Sequence, residues 1–94
     1  MTDEELVRKR ILKRIQSIAD RPKNVTFSEI ELIVHQLKSF HHVEKPRKTR
    51  HGVLFNIDSR RFMLSDHNPG RTQLKEYMVT DFLDAMADLG WYEE

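Results

Sequence analysis

Ninety-four residues, 33% of them charged and 38% hydrophobic, set the scale of one small globular domain. The absence of cysteine removes disulfides, thiolate metal sites and thiol nucleophiles, and no apolar run approaches the roughly 18 residues that a membrane span needs. Sixteen Lys and Arg against 15 Asp and Glu conceal a gradient, with a basic middle over 41–61 and an acidic end over 66–94, an asymmetry that can mark a nucleic-acid face. No signal-peptide h-region follows the acidic start Met1–Glu5, so the expected compartment is the cytoplasm.

The first segment reads as a helix. Thr2 and Glu5 have capping-box spacing, Val7, Ile11, Ile15 and Ile18 recur at helical intervals, and Pro22 ends the run. Its other faces carry Arg8, Lys9, Arg10, Lys13 and Arg14, as a solvated surface helix or a phosphate-binding one would. A second helix is predicted from a Ser28–Glu31 capping box with a Phe27–Leu32 staple, its inner face being Ile30, Ile33, Val34 and Leu37, and it runs to about Phe40. His35 reads as a boundary residue.

The period then changes. Phe40–Lys45 is compatible with an edge strand that Pro46 interrupts. Val53–Ile57 and Arg60–Leu64 read as strands joined by a tight Asp58-Ser59 hairpin, with Val53, Phe55 and Ile57 on the inner face. Residues 66–72 read as a loop. A third helix is expected from about Glu76 to Leu89, with Val79, Phe82, Leu83 and Met86 inward, Gly90 at C′, and Trp91 and Tyr92 folding back on the core. The predicted class is α+β: a three-stranded antiparallel sheet packed on helices, with its other face open and Arg and His at the rim.

Five histidines raise the question of a metal, but His41 and His42 would point to opposite faces of a strand, and no His-Glu-x-x-His spacing occurs. No metal site and no cofactor are expected. A serine hydrolase lacks its Gly-x-Ser-x-Gly elbow, and a nucleotide enzyme lacks its glycine-rich loop. The informative segment is Lys45–Gly52, where Lys45, Arg47, Lys48 and Arg50 place four cations within six residues. Phosphate backbones need such charge, and Arg adds bidentate geometry. With Arg60 and Arg61 these four make the expected RNA-binding set. His51 is the candidate general base or acid: in metal-free RNA cleavage an imidazole takes the ribose 2′-OH proton and cations stabilise the charge that develops. A solvated basic loop has the same pattern.

Residues 27–89 resemble the HicA-type toxins, also labelled YcfA-like. The similar pieces are Phe27–Leu32, the basic stretch into Gly52-Val53-Leu54-Phe55, Arg60–Leu64, the His67 loop, and Leu74–Leu83 leading to Leu89-Gly90. The resemblance implies an α-β-β-β-α core over 25–94 like a double-stranded-RNA-binding domain, with residues 1–24 as a helical N-terminal extension of a single 1–94 domain. It also implies metal-independent endoribonuclease activity on messenger RNA (an mRNA interferase) and a HicB-type antitoxin partner. The family's Gly-Ser-His motif precedes an aromatic-containing strand, its His being catalytic. Here Gly52 stands in the place of that His and His51 in the place of the Ser. His67 matches the family's His after the third strand and is a second catalytic candidate. Three readings follow: a ribonuclease toxin, a non-catalytic RNA-binding module, and a protein-interaction domain on the same scaffold.

Overall fold

The structure, a computed structural model, describes residues 2–65 and 73–94. Thr2 caps the first helix, α1 (Asp3–Asp20), its hydroxyl accepting the Glu5 amide at 3.2 Å as the spacing predicts. Ile11, Ile15 and Ile18 are at most 1% exposed. They belong to the same core as the sheet, and α1 packs on both other helices. The Arg8 guanidinium lies over two rings, 4.8 Å from Phe40 and 5.1 Å from Trp91.

The second helix, α2 (Phe27–Leu37), starts before the predicted Ser28 cap and stops short of Phe40. Thr26 is its N-cap, Ser28 lies inside the first turn, and no side chain caps the end. Thr26 and Glu29 have capping-box spacing too, but the Glu29 carboxylate holds Arg21 at 3.0 Å instead. The staple positions move with the cap. Val25 and Ile30, both fully buried, replace Phe27 and Leu32 there, and Leu32 is left exposed.

The first strand corrects the sequence reading. β1 is Arg47–Thr49, after Pro46 rather than before it. The earlier segment pairs with the sheet through a single Val43–Ile57 bridge, the Glu44 amide donating to the Asn56 carbonyl at 3.0 Å and the Asp58 amide to the His42 carbonyl at 2.9 Å. Both segments lie along the same edge of β2 (Gly52–Ile57). From Val43 to Arg47 is four residue steps, whereas their partners Ile57 and Leu54 are three apart, so the edge carries one extra residue around Lys45 and Pro46. This is a bulge, and it falls where proline has no N–H to give the ladder.

The sheet has the order β1-β2-β3, all antiparallel, β3 being Arg60–Leu64. The β2–β3 turn is the predicted two-residue hairpin, and both of its residues have positive φ, 48° at Asp58 and 72° at Ser59. Asp58 holds that conformation with its carboxylate, which accepts the His42 amide at 3.0 Å and meets His41 Nδ1 at 2.6 Å. These bonds, the His41 side chain first, pull the Asp58 carboxyl below its ordinary range.

Phe55, Ile57, Phe62 and Leu64 form the inner face of the sheet. They pack on α3 (Glu76–Asp88), whose buried residues are Val79, Phe82, Ala85 and Met86, while Leu83 is half-buried. At the helix end the Trp91 amide donates to the Met86 carbonyl at 2.8 Å and the Gly90 amide to Ala87 at 3.1 Å, a Schellman motif with Gly90 at φ 87°. Trp91 therefore folds back, and its indole N–H donates to His41 Nε2 at 2.8 Å. The class is α+β, as expected, with three helices on one side of the sheet. Among the described residues no helix is long and apolar enough to cross a membrane.

Candidate nucleic-acid interface

Period-two alternation decides which predicted residues can act together. Phe55, Ile57, Phe62 and Leu64 face inward, so Leu54, Asn56, Arg61 and Met63 face outward. In register, Arg47 lies opposite Leu54, Leu54 opposite Met63, and Asn56 opposite Arg61. The outer face thus presents two arginines on the two flanking strands, their Cα atoms about 12 Å apart by sheet geometry. Between them lies a shallow concavity of about 90 Å³ lined by Glu44, Lys45, Arg47, Leu54, Asn56 and Arg61.

The bulge explains how Lys45 joins this set. In a regular strand Glu44 and Lys45 would point to opposite faces, but the extra residue at Pro46 lets both line the concavity with Arg47. Lys45, Arg47 and Arg61 are exposed, and none has an acidic partner among the described residues. Glu44 is the one acid bordering them in the concavity. The described outer residues include no aromatic ring, so this surface suits phosphates and sugars rather than stacked bases.

The other predicted residues divide into separate groups. Arg50 and His51 form the two-residue turn between β1 and β2, both exposed, with the His51 amide donating to Thr49 Oγ1 at 3.3 Å. That turn lies about 16 Å along β2 from the Asn56–Arg61 pair, five residues at strand rise. Lys48 lies in register with Val53, on the face opposite Arg47, and is already engaged. Arg60 does not join the others. It faces α3, where its Nε donates to Asp88 at 2.7 Å and its Nη1 to the Arg61 carbonyl at 2.8 Å. His67 lies outside the described residues.

Gly52, in the place of the family's histidine, has a φ of +150° and is buried against β3. A Cβ built there would sit 2.9 Å from the Leu64 carbonyl carbon and closer still to its oxygen, so the backbone at this position accommodates only glycine. His41 is likewise occupied, between Asp58 and Trp91. Among the described residues no three His, Asp or Glu side chains converge as a metal site. Sequence reasoning overlooked Leu54, Asn56 and Met63 as the floor of the interface. Strand alternation, read outward instead of inward, was the signal that would have found them.

No family model matches this chain, and no curated protein and no solved structure is measurably similar to it.

Proposed function

We propose that this protein binds RNA in the manner of a HicA-type toxin, holding the phosphate backbone with Lys45, Arg47 and Arg61 on the open face of its sheet. The observation that carries the reading is the convergence of three cations without acidic partners on one uncovered concave surface, with Asn56 between the arginines as a hydrogen-bonding group. Neutralised phosphates release counterions, so binding should weaken steeply with salt. The test is fluorescence anisotropy with a labelled single-stranded RNA between 50 and 200 mM salt (roughly the range over which counterion release is read). Arg47→Gln with Arg61→Gln should lower the slope of log K against log salt by about 1.4, at about 0.7 per phosphate on a single strand. An unchanged slope refutes this surface.

A second reading, cleavage, rests on His51, an exposed imidazole beside Arg50 in the β1–β2 turn. It would accept the ribose 2′-OH proton while the 2′ oxygen bonds to phosphorus and the P–O5′ bond breaks, the departing O5′ taking a proton from solvent water, which leaves a 2′,3′-cyclic phosphate and a 5′-hydroxyl end. Arg50 would stabilise the negative charge that develops on the non-bridging phosphoryl oxygens. Cleavage that persists in EDTA and is lost in His51→Ala supports it; binding without cleavage leaves an RNA-binding module. In either case the protein acts on messenger RNA in the cytoplasm, and a HicB-type antitoxin would neutralise it by covering the basic surface.

A further inference from the structure

The outward face of α1 carries charge that the sheet interface does not use. Lys9, Arg10, Lys13 and Arg14 are all exposed and fall within an arc of about 140° at 100° per residue, while Ile11, Ile15 and Ile18 occupy the opposite, buried side. The acids of this helix are confined to its ends, Asp3, Glu4 and Glu5 in the first turn and Asp20 in the last, where Asp20 accepts from Gln16 at 3.0 Å. None of the four bases has an acidic partner among the described residues. Acids on neighbouring elements stay at the margin. Glu29, beside Arg14, is taken by Arg21 at 3.0 Å, and Glu93 borders the groove that Lys13 edges. Arg10, Lys13, Arg14 and Ser17 line a shallow depression of about 330 Å³.

This distribution is more specific than helix solubility requires. A surface helix stabilised for its own sake intersperses acids and bases at i, i+4. Glu4 and Glu5 meet Arg8 and Lys9 at that spacing, but Arg10, Lys13 and Arg14 have no acid three or four residues away, and Lys9/Lys13 and Arg10/Arg14 are like-charge i, i+4 pairs that cost the helix stability. Arg8, the base nearest the apolar side, is the one committed to packing, over Phe40 and Trp91. We infer that Lys9, Arg10, Lys13 and Arg14 form a second RNA-backbone surface that engages a different stretch of the strand from the one on the sheet. The bases recur about every 6 Å along the axis, so their flexible arms can serve successive phosphates. The inner faces of α1 and the sheet both turn toward one core, so their outer faces point to different sides of the molecule. An RNA bound at both must pass around it. The inference takes RNA as the ligand from the proposed function but is independent of the sheet face.

The experiment uses the full chain and the same single-stranded RNA. A triple variant, Arg10→Gln, Lys13→Gln and Arg14→Gln, is compared with Arg47→Gln/Arg61→Gln and with a charge-matched control, Lys23→Gln, Lys38→Gln and Lys75→Gln, all exposed positions. Circular dichroism establishes that each is folded. The α1 variant should lower the salt slope by about 2, at about 0.7 per phosphate, with the control unchanged. A slope that the α1 variant leaves at the wild-type value, or that the control lowers equally, overturns the inference. If the α1 variant lowers the slope and the sheet variant does not, the second surface stands and the sheet reading falls. If only the sheet variant lowers it, the reverse holds.

Discussion

Replacing Gly52 with alanine introduces one methyl group between β2 and β3, where the Leu64 carbonyl already occupies the space. The neighbour is main chain at the last paired residue of β3, so it cannot swing aside as a long side chain would. Two costs combine: a φ of +150° that an L-residue rarely adopts, and overpacking against a strand backbone. Each is typically about 1–3 kcal/mol, so Gly52→Ala should lose about 3 kcal/mol, a large share of the stability of a domain this size. The corresponding fall in melting temperature is at least about 10 °C. Urea titration followed by far-UV circular dichroism, with a thermal scan alongside, measures both. A variant within about 0.5 kcal/mol of wild type would refute the argument, because surface changes without steric conflict fall in that range. The same reasoning bears on chemistry: Gly52→His, which places an imidazole at the position that the resemblance aligns with a catalytic histidine, should yield a poorly folded protein rather than a more active one.

Other expectations follow from the turns and ion pairs. Ser59→Gly, at φ 72°, should raise stability by about 0.5–1 kcal/mol, visible as a higher urea midpoint with unchanged m-value. Asp58→Asn should cost stability in a pH-dependent way. The folded carboxyl lies below its unfolded value, so its contribution is complete above about pH 4 and disappears as pH falls through the folded value. Urea midpoints of wild type and variant should therefore differ at pH 7, with the gap narrowing as pH falls below about 4, and a constant gap contradicts the assignment. Arg60→Gln, which breaks the Asp88 pair on the helix side, should leave the salt slope of RNA binding unchanged, unlike a change at the adjacent Arg61. Anisotropy on the two single variants distinguishes them.

The helices were largely legible because their apolar periods are unambiguous. Ile11, Ile15 and Ile18, and Ile30, Ile33, Val34 and Leu37, all sit where the spacing puts them. The α2 cap was not, since Thr26–Glu29 and Ser28–Glu31 offer the same spacing two residues apart, and the choice depends on burying Val25 and Phe27. The edge strand was misplaced for a different reason. Pro46 reads as a terminator in sequence, whereas in the sheet it marks a bulge whose two sides pair with one partner strand, and that pairing is non-local. The candidate site was half visible. Charge alone nominates Lys45, Arg47, Lys48, Arg50, Arg60 and Arg61 together, but adjacent strand residues face opposite ways, Arg50 lies in the β1–β2 turn, and the Ile57–Arg60 pairing commits Arg60 to α3.

The Trp91 anchor has a consequence for how the folding of the chain can be followed. The sheet is a plain meander whose strands pair with their nearest neighbours in sequence, so it can assemble by closing short loops. Trp91 instead depends on His41, 50 residues away, and on Arg8 near the other end of the chain. Its seat is complete only when α1 and the β2–β3 turn, whose Asp58 holds His41, are both in place. Its indole, the single tryptophan of the sequence, therefore reads contacts that join both ends of the chain to its middle, and its fluorescence on unfolding should follow the tertiary structure as a whole, coincident with the backbone signal.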